Sequence, residues 1–335
     1  MINRTPQRKV VVTGAGGFIG HHLVTQLKQQ GFWVRGVDLK YPEYSPTDAD
    51  EFLIADLRRW DACLAATRDA EDVYALAADM GGMGFISAHH AEILHNNILI
   101  STHTMEAARQ NGVRRYLYTS SACIYPEYRQ TDTNVEPLKE EHAYPAQPQD
   151  AYGWEKLVTE RLCTHYARDY GIDIRIVRFH NIFGPLGTWD GGREKAPAAL
   201  CRKVAVAKLT GKREIEIWGD GEQTRSFCYI DDCVKGLRLL MESGYQQPIN
   251  LGQDRLISIN ELADLVANAA GVDIGRKHIP GPQGVRGRNS NNDRLREVLG
   301  WEPEISLEEG IARTYAWIEA QVVERFDAEV TDAVA

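Results

Sequence analysis

The chain has 335 residues, of which 43% are hydrophobic and 25% are charged, and this composition is typical of a globular protein with one or two domains. Its formal net charge of −9 argues against a nucleic-acid-binding surface. The sequence lacks any run of about 18 apolar residues, so we expect no membrane span, and residues 1–8 lack the apolar core of a secretory signal, which predicts a cytoplasmic protein.

The first predicted elements are a strand, a glycine turn and a helix. The β-branched residues 10–12 predict a buried parallel strand, and apolar residues resume at helical spacing after the turn. In such a turn Gly14 permits the sharp bend, Gly17 lets the backbone approach a pyrophosphate, and Gly20 lets the helix pack close to the strand. A helix N-terminus aimed at the turn favours phosphate binding. The residues expected to bind a dinucleotide here are Gly14, Gly17, Phe18, Ile19 and Gly20.

The second predicted strand, residues 33–37, ends at Asp38. An acidic residue about 20 positions after the glycine turn is expected to accept hydrogen bonds from the ribose hydroxyls of NAD. Its charge repels the 2′-phosphate of NADP, so we predict NAD, although Lys40 nearby would weaken that repulsion. A third predicted strand, residues 51–55, ends at Asp56 and Leu57, which we expect to border the adenine. A helix N-cap is an equally good interpretation of Asp56.

The rest of the first half continues the alternation of strand and helix. Predicted strands at 72–77 and 116–120 flank a predicted long helix at 93–111, and a glycine-rich loop at 78–84 is placed to pass beneath the cofactor. This order predicts an α/β fold with a doubly wound parallel sheet covered by helices on both faces.

The second half predicts a return to the sheet and a smaller lobe. A helix at 151–170 and a strand at 173–179 precede a glycine- and proline-rich segment that begins at residue 181, where we expect the chain to leave the sheet. We predict a Rossmann domain and a substrate-binding α/β lobe. The predicted domains are residues 1–180 with about 227–256, then about 181–226 with 257–322 (its last helix at 307–322), and a frayed tail at 323–335.

Two segments carry groups suited to catalysis. Ser121 follows the strand at 116–120, at the carboxyl edge where ligands bind in open sheets. Tyr152 and Lys156 lie four residues apart and therefore share one helix face. A phenol is a poor base at neutral pH unless nearby positive charge stabilises its anion, and an ammonium one turn away supplies such charge. Taken alone, the pair would be a surface pair; after a nucleotide-binding half, it predicts a catalytic pair.

Cysteine and histidine patterns point away from metals. The six cysteines include no C-x-x-C pair, which favours reduced thiols over disulfides or zinc. The adjacent histidines 89 and 90 do not share a helix face. We expect no metal site.

The glycine turn, Ser121 and the Tyr-x-x-x-Lys motif resemble those of the extended short-chain dehydrogenase/reductase family. More specific segments narrow the resemblance to its nucleotide-sugar epimerases that invert C3 and C5 of a GDP-hexose such as GDP-mannose. These segments are residues 77–85, 120–127, 178–181, 191–199, 218–227 and 281–290.

The resemblance implies roles for individual residues. Ser121 and Tyr152 would contact the sugar O4, and Tyr152 with Lys156 would serve oxidation and re-reduction at C4 by NAD. Cys123 and Lys195 would be the proton-transfer groups on opposite faces of the sugar. Because Cys123 lies two residues after Ser121, we expect both on one side of a strand. As a structural alternative, Cys123 is a small buried apolar residue and Lys195 a solvated loop lysine.

The resemblance also implies a GDP-sugar site and a homodimer formed by the helices at 93–111 and 151–170. Lys203 and Arg288 match diphosphate-binding positions. The implied substrate-binding residues are Gly81, Ser121, Ala122, Cys123, Asn181, Glu194, Lys195, Ala196, Lys203, Gln223, Arg225 and Arg288.

Three alternative functions stay open. They are a 4-epimerase of another GDP-sugar (a heptose or deoxyhexose), a 4,6-dehydratase of such a sugar, and a non-catalytic dinucleotide-sensing regulator. A dehydratase would carry an acidic pair after the serine, where this chain has Ala122 and Cys123. A regulator need not keep the full set of catalytic groups.

Overall fold

The computed structural model describes residues 7–334, with side chains to residue 327, so most of the segment assessed above as a possible signal lies outside the described residues. The strands are β1 (Lys9–Thr13), β2 (Trp33–Asp38), β3 (Glu51–Ile54), β4 (Asp72–Ala75), β5 (Arg115–Ser121), β6 (Asp173–Phe179), β7 (Ile182–Phe183), β8 (Glu214–Trp218), β9 (Thr224–Arg225), β10 (Cys228–Tyr229), β11 (Pro248–Leu251), β12 (Ile257–Ser258), β13 (Gly275–Ile279) and β14 (Gly287–Arg288). The α-helices are α1 (Phe18–Gln29), α2 (Trp60–Ala66), α3 (Met83–Ile86), α4 (His90–Gln110), α5 (Ala151–Tyr170), α6 (Ala196–Thr210), α7 (Ile230–Glu242), α8 (Ile259–Ala270), α9 (Asp293–Leu299) and α10 (Leu307–Val334). Short 3₁₀ helices occupy Ala122–Ile124, Glu127–Arg129 and Glu140–Ala143.

Seven strands form the main sheet in the order β11-β6-β5-β4-β1-β2-β3. Every neighbouring pair in it is parallel. The predicted doubly wound parallel sheet is therefore confirmed, and the carboxyl ends of β1, β2, β4, β5 and β6 meet at one edge. Ligands bind at this edge in open α/β sheets.

The two faces of the sheet are buried in different apolar clusters. In β1, Val10 and Val12 belong to one cluster and Val11 belongs to the other, because successive side chains of a strand point to opposite faces. Helix α1 covers the first face with Leu23, and α4 covers the second with Met105. Burial on both faces explains why the strand sequence is continuously β-branched rather than alternating.

The smaller lobe is built from helices α6, α8 and α10 and from short sheets. In these sheets β8 pairs with β13, and β9 lies between β12 and β14. Strand β11 returns to the main sheet beside β6. The division of the chain into two domains at the stated residues stays a prediction.

The last helix is longer than the sequence predicted. Helix α10 continues past Val322 to Val334, so a helix end at 322 followed by a frayed tail is wrong for residues 323–334. The physical reason is a contact outside the helix: the Arg325 guanidinium pairs with Asp190 and lies 4.3 Å from the centre of the Trp189 ring. Among the described residues, no helix combines the length and apolarity needed to cross a bilayer.

Candidate active site

The glycine turn closes tightly between β1 and α1. Gly14 has a φ of +72°, and a Cβ there would lie 2.9 Å from the backbone nitrogen of Ala77. A Cβ at Gly20 would lie 2.1 Å from the carbonyl oxygen of Gly14. Only glycine satisfies both positions, because the first needs a left-handed backbone and the second a close approach of helix to turn.

The N-terminus of α1 is open toward the sheet edge. Its N-cap, Gly17, provides no side-chain hydrogen bond, so the first-turn N–H groups of Phe18 and Ile19 are left for another acceptor. At the end of β2, one carboxylate oxygen of Asp38 accepts a hydrogen bond from the Gly16 nitrogen at 2.9 Å. This contact sets the Asp38 carboxylate beside the turn.

Asp56 and Leu57 follow β3 but differ in their surroundings. The Asp56 carboxylate accepts hydrogen bonds from Nε and Nη2 of Arg58, at 2.9 and 2.8 Å, and Leu57 is buried in the core. The N-cap of α2 is Arg59, so the interpretation of Asp56 as a helix N-cap is wrong.

Cys123 does not lie on a strand, which corrects the expectation above. Strand β5 ends at Ser121, and Cys123 lies in the 3₁₀ helix Ala122–Ile124. The Ser121 hydroxyl caps this turn by accepting a hydrogen bond from the Cys123 nitrogen at 3.1 Å. The two side chains are therefore related by a capped turn, and Cys123 remains part-exposed while Ala122 beside it is buried.

Tyr152 and Lys156 lie in the first turns of α5, whose N-cap Asp150 accepts a hydrogen bond from the Gly153 nitrogen at 2.8 Å. The Lys156 ammonium donates to the Thr119 carbonyl at 3.1 Å and lies 5.6 Å from the centre of the Tyr152 ring. The Ser121 hydroxyl lies close enough to Tyr152 to oppose the rise in the pKa of its phenol. The structure thus brings Ser121, Tyr152 and Lys156 together.

The loop that carries Lys195 packs against the glycine-rich loop after β4. Gly82 donates a backbone hydrogen bond to the Arg193 carbonyl at 3.0 Å, and buried Gly81 precedes it. Met80 of the glycine-rich loop and Cys123 both pack against the apolar cluster that contains Tyr152. Lys195 is the N-cap of α6 and lies close enough to Cys123 for an electrostatic interaction between the two side chains.

Two arginines flank the thiol from the smaller lobe. Nη1 of Arg288 donates a hydrogen bond to Sγ of Cys123 at 3.3 Å. Arg225 lies opposite Arg288 in the pairing of β9 and β14, and its guanidinium donates to the carbonyls of Thr224 and Val285, both at 2.7 Å. A part-exposed thiol therefore faces concentrated positive charge.

Other residues expected to bind substrate are held by neighbouring groups. Asn181 donates to the Ser226 carbonyl at 2.8 Å, and Gln223 is buried with Oε1 unpaired among the described residues. The Glu194 carboxylate accepts hydrogen bonds from Arg202 and from Gly192, at 2.9 and 2.7 Å.

Lys203 and Arg288 take different positions. Helix α6 begins at Ala196 and carries Lys203, whose ammonium donates to the Glu216 carbonyl at 2.6 Å. In the described part of the chain, none of the hydrogen bonds of Lys203 reaches Arg288. Their joint role at a diphosphate stays a prediction.

Burial dominates the electrostatics of the site. Desolvation raises the pKa of the Tyr152 phenol well above 10, against the hydrogen bond from Ser121. Desolvation also lowers the pKa of the Lys156 ammonium, against the charge of Glu155, whereas Lys195 lies exposed in its loop. Burial and the charge of Arg288 lower the pKa of Arg225 to about 9.

A sequence profile of the NAD-dependent epimerase/dehydratase family matches residues 10–252. The chain belongs to this family. It is 51% identical over 316 residues to GDP-mannose 3,5-epimerase 1 of Oryza sativa subsp. indica, covering 94% of this chain and 82% of the relative. It is 52% identical to GDP-mannose 3,5-epimerase of Arabidopsis thaliana, covering 94% and 83%. GDP-L-fucose synthase of Escherichia coli is 29% identical, covering 93% and 96%.

Solved structures of epimerases share the fold. The UDP-glucose 4-epimerase of Thermotoga maritima matches with a TM-score of 0.83 and 27% identity, covering 94% of this chain and 99% of that one. UDP-glucuronic acid 4-epimerase of Bacillus cereus, in complex with UDP-glucuronic acid and NAD, matches with a TM-score of 0.80 and 26% identity, covering 93% and 99%.

As a member of the NAD-dependent epimerase/dehydratase family, the chain uses NAD, and its residues fit that cofactor. The uncapped N-terminus of α1 offers N–H donors to a pyrophosphate. Asp38 lies at the end of β2 beside the turn. An acidic residue at this position accepts hydrogen bonds from the ribose hydroxyls of NAD. Lys40 is paired with Glu43 at 3.0 Å. Among the described residues, there is no cluster of three or more histidine, cysteine, aspartate or glutamate side chains placed to hold a metal.

Two features of the site are not among the sequence predictions. Helix α6 lies within the glycine- and proline-rich segment that begins at residue 181; Pro197 in its first turn and Gly211 at its C-cap are start and stop signals that predict it. Gln130 was also missed, although its side chain is hydrogen-bonded to Arg288. No local pattern marks Gln130, because its partner is distant in the sequence.

Proposed function

We propose that this protein epimerises GDP-mannose at C3 and C5, with transient NAD-dependent oxidation at C4. The observation that carries the proposal is the placement of a part-exposed thiol, Cys123, beside Tyr152 and the Lys195 loop. The names of the relatives at 51–52% identity support the same substrate and reaction.

Tyr152 is proposed to take the proton of the sugar O4 hydroxyl. Ser121 interacts with the phenol and is proposed to orient it. Lys156, held by the Thr119 carbonyl, keeps a positive charge near the ring, which favours the phenolate against the effect of burial. NAD held at the N-terminus of α1 and by Asp38 would supply the hydride acceptor for C4 and a positive charge that favours the phenolate.

Cys123 and Lys195 are proposed to exchange protons at C5 and C3. A ketone at C4 acidifies the hydrogens on both neighbouring carbons, because each carbanion delocalises into an enolate. Inversion requires that a proton leave one face of the ring and another arrive at the opposite face. The Cys123 thiol lies on the 3₁₀ turn after β5, and Lys195 lies at the start of α6. Because these are two separate elements, they are suited to present the two groups to opposite faces of a sugar.

Arg225 and Arg288 supply positive charge at the same end of the site. Guanidinium groups bind phosphate oxygens in a bidentate manner, so we propose that Arg225 faces the diphosphate side of the GDP-sugar, whereas Arg288 faces the Cys123 thiol. Asn181, Glu194, Ala196, Lys203 and Gln223 are proposed to line the rest of the substrate.

The alternative functions have weaker support. GDP-L-fucose synthases and a UDP-glucuronic acid decarboxylase are 28–31% identical to this chain, far below the 3,5-epimerases. The acidic pair that a dehydratase would carry is absent from this chain, which has Ala122 and Cys123 at those positions. A non-catalytic sensor need not keep Ser121, Tyr152 and Lys156 together.

We also propose a homodimer in the cytoplasm. Helix α5 exposes Trp154 and Val158 one turn apart, at 44% and 55% exposure, on the helix that packs against α4. A second copy of the chain would cover this apolar surface in a twofold arrangement.

The deciding experiment follows GDP-mannose in D₂O by NMR. The proposed function requires deuterium at both C3 and C5 and the appearance of epimers. Inversion at C4 alone, or loss of water from the sugar, would replace the proposal with one of the alternatives. Binding of NAD without any turnover would support the sensor.

A further inference from the structure

Gln130 lies buried behind the turn that carries Cys123, with 1% of its surface exposed. Its side-chain nitrogen donates hydrogen bonds to the carbonyls of Tyr125 and Pro126, at 3.0 and 3.2 Å. Its side-chain oxygen accepts one from Nε of Arg288 at 2.5 Å. Both ends of the amide are therefore used, and a flipped amide would set NH₂ against a guanidinium.

The backbone of Gln130 strengthens the same connection. Its carbonyl accepts hydrogen bonds from the nitrogens of Arg286 and Gly287, at 2.9 and 3.2 Å. One residue thus ties the segment after Cys123 to the strand that carries Arg288. A movement of either segment must break contacts of Gln130.

This connection determines where the Arg288 guanidinium lies. The group is planar and rigid, so fixing Nε leaves Nη1 facing Sγ of Cys123 at 3.3 Å. Arg288 is 8% exposed, and bulk water therefore screens its charge little. Arg288 therefore places a charged hydrogen-bond donor against the sulfur atom, where it stabilises negative charge that builds up on the sulfur during proton transfer.

We propose that Gln130 is a positioning residue that holds Arg288 against Cys123 for the proton transfers at C3 and C5. The proposal rests on the proposed function. When the thiolate takes a proton from carbon, the S–H bond forms and the electron pair stays on the enolate. Arg288 keeps its own protons and contributes charge only. This use of Arg288 differs from binding the diphosphate, which would require neither Gln130 nor contact with the thiol.

The test measures Cys123 directly and without substrate. The other five cysteines are buried, so iodoacetamide alkylation at neutral pH, located by peptide mass analysis, reports on Cys123. Gln130→Met removes the acceptor for Arg288 at similar side-chain length. Gln149→Met is the matched control, because Gln149 is exposed and contacts Glu127 on the outer side of the same loop.

We expect Gln130→Met to slow alkylation roughly tenfold, as expected for the loss of one charge-assisted hydrogen bond, and Gln149→Met to leave it unchanged. In D₂O with GDP-mannose, Gln130→Met should lower kcat for C3 and C5 exchange while KM changes little. A parental alkylation rate would overturn the proposal. A raised KM with parental kcat would also overturn it, in favour of a diphosphate role for Arg288.

Gln130→Glu covers the case in which the methionine variant does not fold. A carboxylate keeps an acceptor for Nε and neutralises the guanidinium, so alkylation should again fall below the parental rate; no change contradicts the proposal. If the unaltered protein shows no exchange with GDP-mannose, the proposed function fails. The alkylation comparison still decides the role of Gln130, because it needs no substrate.

Discussion

Gly153 lies directly against the backbone of Cys123: a Cβ at position 153 would stand 2.2 Å from the Cys123 carbonyl oxygen. Helix α5, which carries Tyr152, and the turn that carries the thiol therefore approach each other as closely as two backbones allow. The relative position of the phenol and the thiol depends on this contact.

We expect Gly153→Ala to displace the Cys123 turn and to lower the free energy of unfolding by about 1–3 kcal/mol, as for other overpacked sites. Deuterium uptake at C3 and C5 should fall, because the turn cannot shift without moving the thiol. Thermal unfolding and NMR exchange on one sample measure both effects. Gly244→Ala is the control, since a Cβ there meets open space. A variant with parental stability and exchange would contradict the role of this contact.

The cofactor preference can be tested at Asp38. Asp38→Asn keeps an oxygen acceptor for the Gly16 nitrogen and removes the negative charge. We expect affinity for NADP to rise relative to NAD by roughly ten- to hundredfold, through loss of repulsion with the 2′-phosphate. Fluorescence titration with both dinucleotides measures the ratio, and Asp48→Asn, in the exposed loop before β3, should leave it unchanged. Tighter binding of NADP than NAD by the unaltered protein would contradict the assignment.

Much of the fold was predictable because its signals are local. The strand, glycine turn and helix at residues 9–29 and the helix Ala151–Tyr170 are encoded by periodicity, glycine and caps within each segment. Their sequential alternation then allows few topologies besides a doubly wound sheet.

The relations that complete the site are not local. The alternation of side chains along a strand predicted that Ser121 and Cys123 lie on the same side of β5. Instead the strand ends at Ser121, whose hydroxyl caps the 3₁₀ turn that carries Cys123. The contact between Arg288 and Cys123 joins residues 165 positions apart, and only the folded sheet brings them together. The continuation of α10 past Val322 is likewise accompanied by the pairing of Arg325 with Asp190, a tertiary contact that helix signals do not contain.

If the proposed homodimer forms through the outer face of α5, a charged residue introduced on that face should dissociate the two subunits. Val158→Glu places a carboxylate in the centre of the surface that Val158 shares with Trp154, where burial of an unpaired charge is unfavourable. Light scattering at micromolar concentration should give a dimer for the unaltered protein and a monomer for this variant. Leu209→Glu, an exposed apolar residue on α6, should remain dimeric. A monomeric mass for the unaltered protein would refute the dimer.

The buried His180 makes the stability of the folded protein depend on pH. Burial lowers the pKa of its imidazole to about 3, and Nδ1 has no partner among the described residues. Between about pH 6.5 and pH 3 the unfolded chain binds a proton that the folded protein does not, so stability falls as pH falls, by about 1.4 kcal/mol per pH unit. Above pH 6.5 this contribution is constant.

Thermal midpoints from pH 7 to pH 4.5 test this sign. His180→Asn should lower the midpoint at pH 7, because it loses buried contacts such as the hydrogen bond to Asn250, yet it should show a smaller further loss in acid. His165→Asn, at an exposed position of α5, should keep the parental slope. Equal slopes for all three proteins would remove His180 as the source.

The separation of redox chemistry from inversion can be tested with Cys123, Tyr152 and Lys195. Tyr152→Phe should abolish both hydride transfer and deuterium uptake, because it removes the only proposed base for O4. Cys123→Ala should spare hydride transfer, since the phenol and Lys156 keep their contacts with Ser121 and Thr119. Deuterium uptake should fall by about 10²–10⁴-fold, the usual effect of removing one positioned acid or base.

Lys195→Met should behave like Cys123→Ala, and the double variant should lose little more, because groups that serve one inversion are not additive. Cys163→Ala, at a fully buried position of α5, controls for loss of a cysteine: it should lower the thermal midpoint and leave exchange intact. Single-turnover nicotinamide absorbance and NMR exchange on the same samples separate the steps. If Cys123→Ala exchanged C3 and C5 hydrogens at the parental rate with only a lower thermal midpoint, Cys123 would be a packing residue.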